Sequence, residues 1–146
     1  MAVDTSAKGK IFPSHEYEVG REKIREYAEA VGEDNPVYFE REAARAAGFR
    51  DVTAPPMFAV VYSRGALGLA LFDPEVGINF EMLVHAGQEF AWGETVCAGD
   101  TITTTIEVKD IYEKGPMGFY VFESVSANQE DQEVVRGTWS NIVRGE

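Results

Sequence analysis

Cysteine occurs once, at Cys97, which excludes an internal disulfide framework and a zinc site of the usual multi-cysteine kind. A reducing, cytoplasmic setting is expected. No run approaches the roughly 18 apolar residues of a membrane span, and the opening MAVDTSAKGK lacks the apolar core of a secretory signal, so membrane insertion and export are both disfavoured. Positive charge is scarce: the formal net charge of −12 argues against nucleic acid, whose backbone attracts clustered cations. Histidine is present only at His15 and His85, and neither repeats nor low-complexity tracts occur.

What is there is a globular composition. With 146 residues, 45% of them hydrophobic, one domain spanning residues 1–146 can bury roughly 70% of its unfolded surface. Residues 11–19 alternate weakly and predict a first strand. Helical spacing follows at Ile24, Tyr27, Ala28 and Val31, stopped by Gly32. Residues 32–36 then read as a turn, and a short helix is predicted from Phe39 to Ala47, ending at Gly48.

The stretch PPMFAVVYSRGALGLALF, Pro55 to Phe72, is apolar nearly all round, with Arg64 its only charge. Such a pattern predicts a long helix, about Pro56 to Phe72, buried on all sides. Gly65 and Gly68 mark places where a strand or partner helix comes close. The period then changes to two, predicting strands over 81–92, 101–112, 118–128 and 132–144, separated by turn chemistry at 98–100, 113–116 and 129–131. A sheet with one covered face wrapped around a buried helix is an α+β, hot-dog architecture. Its strand edges and glycine-bearing helix point to a dimer.

Basic residues are uneven. Arg21, Lys23, Arg25, Arg41, Arg45, Arg50 and Arg64 lie in the first half, and none falls between Gly65 and Val108. Either a cationic surface for the phosphates of CoA or an acidic carrier protein, or a solvated helix face, satisfies this pattern.

Two stretches carry a family resemblance. Gly32-Glu33-Asp34-Asn35-Pro36-Val37-Tyr38, followed by an Ala-rich segment, resembles the (R)-hydratase motif G-D-x-N-P-(L/I/V)-H. Val84 to Phe90, running on to Ala98-Gly99-Asp100, is similar to the strand and A-G-D turn that follow the central helix in MaoC-like proteins. With Thr53-Ala54-Pro55-Pro56-Met57-Phe58 at the helix start, the chain is identified as a member of the MaoC-like hydratase/dehydratase superfamily, of the N-terminal FAS1-like dehydratase type.

The resemblance implies reversible removal of water across the 2,3-bond of an acyl thioester, carried by CoA or acyl carrier protein, without a cofactor or metal. An aspartate and a histidine activate the water while backbone N–H groups polarise the thioester carbonyl. In this sequence Glu33 stands where that aspartate belongs and Tyr38 where the histidine belongs. A phenol with a pKa near 10 is deprotonated only about one part in a thousand at neutral pH, whereas imidazole titrates close to it. Glutamate sets its carboxylate about one methylene further out, and a shift of roughly 1 Å can cost about a hundredfold. Pro56 stands where the pattern offers a glycine N–H, and proline has none.

These departures resemble the non-catalytic, substrate-holding subunits of heteromeric (3R)-hydroxyacyl-thioester dehydratases, such as the mycobacterial fatty-acid elongation enzyme. There, the resemblance implies, two hot-dog domains pair side by side, only one bearing the catalytic residues. No catalytic residue is therefore assigned, and Glu33 and Tyr38 are degenerate motif positions. Asn35, Tyr38, Pro56, Met57 and Phe58 are expected to border the acyl tunnel, although Asn35 and Pro36 also read as loop-fixing residues. The other readings are a non-enzymatic acyl-thioester binding protein, a self-sufficient hydratase using Glu33, and a thioesterase. The last is disfavoured because the helix lacks an acidic residue. His85 reads as structural, His15 as lying near a loose N-terminus, Cys97 as packed, and Trp92, Trp139, Phe119, Tyr120 and Phe122 as core and interface.

Overall fold

Alternation of apolar and polar residues builds the sheet. In the computed structural model, which describes residues 3–145, Ile102, Thr104, Ile106 and Val108 all face the core from β3 (Thr101–Lys114). β4 (Met117–Ala127) and β5 (Glu133–Val143) repeat the pattern with Tyr120, Phe122, Val135 and Trp139. With β1 (His15–Glu18) and β2 (Leu83–Trp92) they form one antiparallel sheet in the order β1-β3-β4-β5-β2. The turns fall at the anticipated places: Gly99, Gly115 and Asp131 take the positive φ that tight reversals need.

Three helices complete the fold: α1 (Arg21–Ala30), α2 (Arg41–Ala46) and α3 (Ala59–Leu71). α3 is entered through a 3-10 turn over Pro56–Phe58, where the ring of Pro56 presets φ and the missing N–H costs nothing. It lies across β1, β3 and β4, burying Ala59, Tyr62, Ser63, Ala66 and Ala70. Phe58 anchors one end of the core inside a ring of Tyr17, Tyr27 and Tyr62. Among the described residues no helix is long and apolar enough to cross a membrane.

Three expectations need correction. α3 is not covered on all sides within one chain: Met57, Arg64, Leu69 and Phe72 are exposed, with Val61 and Gly68 only partly buried, all on one stripe. The sheet reaches one side of the helix, so an all-round apolar pattern leaves its far side uncovered. The first strand is shorter than residues 11–19, because Pro13 interrupts the ladder and Ile11 survives only as an isolated bridge to Glu107. His15 is not near a loose end. The segment before it is tied to β3 through Gly9 N–H to Val108 O at 2.8 Å and Phe12 N–H to Ile106 O at 3.0 Å. Its ring lies where a Cβ on Gly65 would sit, so the close strand expected at Gly65 is β1, while the space at Gly68 is open.

Candidate functional site

The motif loop is built by local hydrogen bonds. Gly32, at φ 77°, ends α1, and Glu33 N–H reaches back to Ala28 O at 2.9 Å. Asn35 Oδ1 accepts from Val37 N–H at 3.1 Å, and Pro36 opens a single 3-10 turn through Tyr38. Val37 O then accepts from Thr53 N–H at 3.0 Å, while Ala54 N–H donates to Val96 O at 2.8 Å. This stitching holds the loop beside the start of the central helix. Asn35 is thus occupied in shaping the turn.

Glu33 lies near enough to Tyr38, five residues on, for its charge to act on the phenol. Burial, and then the Glu33 carboxylate, push the phenols of both Tyr38 and Tyr27 above their ordinary pKa. Both therefore stay protonated at neutral pH. Among the described residues no hydrogen bond links Glu33 to either histidine. His85 Nε2 lies 3.0 Å from Gly87 O and 3.1 Å from Gln88 Oε1, with its ring stacked on Trp139 at 5.8 Å, and His15 is wedged against Gly65. Among the described residues no group of three or more His, Cys, Asp or Glu side chains is arranged to hold a metal ion.

A cavity of about 160 Å³ opens beside the helix start. Its floor is formed by Tyr62, Val96 and Val134, its wall by Ala54, Pro55 and Pro56, and its mouth by Trp92, Gly93, Glu94 and Thr95. Of the residues expected around an acyl tunnel, Pro56 lines it. Met57 is 48% exposed outside it, Phe58 is enclosed in the core, and Asn35 and Tyr38 stand on the loop behind Thr53. Tyr62, Trp92 and the 93–96 turn were not expected there. Their one advance signal was the position of Tyr62 one turn after the helix start.

The basic residues of the first half are largely neutralised within the chain. Arg21 and Arg41 both reach Asp51, Arg50 pairs with the fully buried Asp100 at 2.6 Å, and Arg25 and Lys23 pair with Glu22 and Glu26 on α1. Arg64 has no ion-pair partner among the described residues. The solvated-face reading of these cations fits better than a cationic platform.

The fold and the sequence both have known counterparts. A UPF0336 protein of Streptomyces avermitilis is 47% identical over 112 residues, covering 76% of this chain and 75% of that protein. The fold superposes on a chain of the C-terminally truncated HadBC (3R)-hydroxyacyl-ACP dehydratase complex of Mycobacterium tuberculosis, with a TM-score of 0.82 and 26% identity, over 94% of this chain and 98% of that one. The R-hydratase PhaJ1 of Pseudomonas aeruginosa shares the fold at a TM-score of 0.74 and 19% identity, over 95% of this chain and 83% of that one. The family model described as FAS1-like, dehydratase domain region, matches residues 6–136, and the chain belongs to that family.

Proposed function

We propose that this chain is the substrate-holding subunit of a (3R)-hydroxyacyl-thioester dehydratase, running in reverse as an enoyl-thioester hydratase, and that it pairs with a second hot-dog chain carrying the aspartate and histidine. One observation carries the reading: at the motif position for histidine stands Tyr38, held protonated by burial and by Glu33. A phenol in that state cannot take a proton from water at neutral pH. Neither histidine is hydrogen-bonded to the loop among the described residues: His85 Nε2 lies against Gly87 O and Gln88 Oε1, and the His15 ring packs against Gly65.

Two further features support it. Pro55 and Pro56 remove two N–H groups from the helix start, so the polarising donor for the thioester carbonyl falls to the other chain. β2 presents a ten-residue outer edge with Val84 and Trp92 exposed, and α3 separately leaves a stripe of its surface uncovered. An edge that long calls for a partner strand. Within the pair, the cavity beside Pro55 and Pro56 would receive the acyl group, delivered by CoA or an acyl carrier protein.

Reconstitution tests this. Co-expressed with a MaoC-like chain bearing D-x-N-P-(L/I/V)-H, the protein should co-purify and dehydrate (3R)-hydroxyacyl thioesters. Replacing that chain's histidine should cost roughly 10²- to 10⁴-fold in kcat, the usual worth of general acid–base catalysis. Tyr38→Phe should cost less than about tenfold. The opposite ranking would overturn the reading.

A further inference from the structure

The uncovered stripe of α3 is apolar except for one cation. Met57, Val61, Arg64, Gly68 and Phe72 recur along it at helical spacing, and Arg64 stands at the middle. Arg21, Arg25, Arg41 and Arg50 all find carboxylates within the chain. Arg64 does not: the sequence offers no Asp or Glu between Pro55 and Phe72, and no ion pair reaches it among the described residues.

Both ends of this stripe meet the edge strand. At the start of α3, Pro55 and Pro56 line the cavity together with Trp92, Gly93 and Glu94, where β2 ends. Past its last turn, Phe72 stacks on Phe80 with ring centroids 4.9 Å apart, in the 3-10 turn that opens into β2. A chain that pairs with the free β2 edge is therefore placed to cover the helix face as well. Covering that face takes Arg64 out of water. A guanidinium desolvated without an anion is strongly unfavourable, whereas a carboxylate meeting its fork of donors holds and orients it. A second copy of this chain would turn the same acid-free stripe toward its own about a two-fold axis. Neither helix would then supply a carboxylate, and each chain would bring a net charge of −12.

We infer that Arg64 is the partner-selecting residue of the pairing surface, taking an aspartate or glutamate presented by the catalytic hot-dog chain and disfavouring self-pairing. The inference rests on the two-chain reading proposed above and names the chemistry by which the second chain is recognised.

Two measurements test it: calorimetric titration with a MaoC-like chain bearing D-x-N-P-(L/I/V)-H, and analytical ultracentrifugation of the protein alone. Arg64→Leu keeps an apolar stem and a good helix former. It should weaken heteromeric pairing by at least about thirtyfold and tighten self-association by about tenfold or more. Arg64→Glu should abolish pairing, and changing the partner's acidic residues to arginine one at a time should yield one variant that restores it. Heteromeric affinity within about threefold of the wild type, in an Arg64→Leu protein that melts like the wild type, would overturn the role of Arg64 and leave the two-chain reading standing. Self-association untouched by Arg64→Leu, or an Arg64→Glu protein that no partner variant rescues, would overturn it equally. Unchanged pairing with weakened binding of butyryl-CoA would also overturn it, assigning Arg64 to the CoA phosphates instead. Failure of the wild type to pair at all would remove both proposals together.

Discussion

At the scale of single residues, two carboxylates do most of the joining. Asp100, wholly buried at the β2–β3 turn, accepts from Arg50 at 2.6 Å, from the Cys97 N–H at 2.9 Å and from Gln129 at 3.0 Å, tying three segments together. Asp51 accepts from Arg21 at 3.0 Å and from the Val52 N–H at 2.8 Å, with Arg41 at 3.3 Å. The Arg21 hydrogen bonds hold the Asp51 carboxyl below its ordinary pKa against the opposing effect of burial. Its stabilisation is therefore full above the unfolded value of about 3.9 and is lost as pH falls through the lower folded value. Asp51→Asn is expected to cost about 1–2 kcal/mol at pH 7, tempered by the half-exposed Arg21, and progressively less as pH falls toward 2. Urea midpoints for both proteins from pH 7 down to pH 2 check this. A gap that stays constant across the range would show that the ion pair contributes nothing.

At the scale of elements, periodicity told a great deal and neighbourhood told little. The switch from a 3.6-residue to a two-residue rhythm near residue 80 located the long strands to within about two residues and α3 to within three, because each side chain's own face is written in its spacing. Which distant segment lies opposite is not written there. Hence Gly65 was legible as a close-approach site, but the imidazole of His15 as the group approaching it was not. That contact makes Gly65→Ala the sharpest probe of α3 packing. It should destabilise the chain by about 1–3 kcal/mol through overpacking, with His15→Ala in the same protein recovering more than half of the loss. Gly68→Ala, with open space around it, should be neutral or stabilising by up to about 1 kcal/mol. Equal effects at the two glycines in urea titrations would contradict the packing described.

At the scale of the whole molecule, one chain is an incomplete layer structure. The sheet curves over α3 from β1 to β4, yet β2 hangs at the far edge with most of its residues exposed, and the stacked pair Phe72–Phe80, 4.9 Å apart, lies in the open. The sequence reading of a helix buried on all sides and the single-chain structure differ by that uncovered face, which the proposed pairing would close. The motif loop was the most legible part of the candidate site, since Gly32, Asn35 and Pro36 each act through local backbone chemistry. The cavity was the least legible, because it forms only where the helix start meets the 92–96 turn and Val134 of β5.

The division of labour between two chains stands or falls on the proton chemistry at Tyr38. Hydration of crotonyl-CoA by the purified protein alone, free of any MaoC-like chain, measures it most directly. No turnover above background is expected, unchanged by Glu33→Ala. Sustained turnover that Glu33→Ala removes would make the chain an enzyme in its own right and contradict that division.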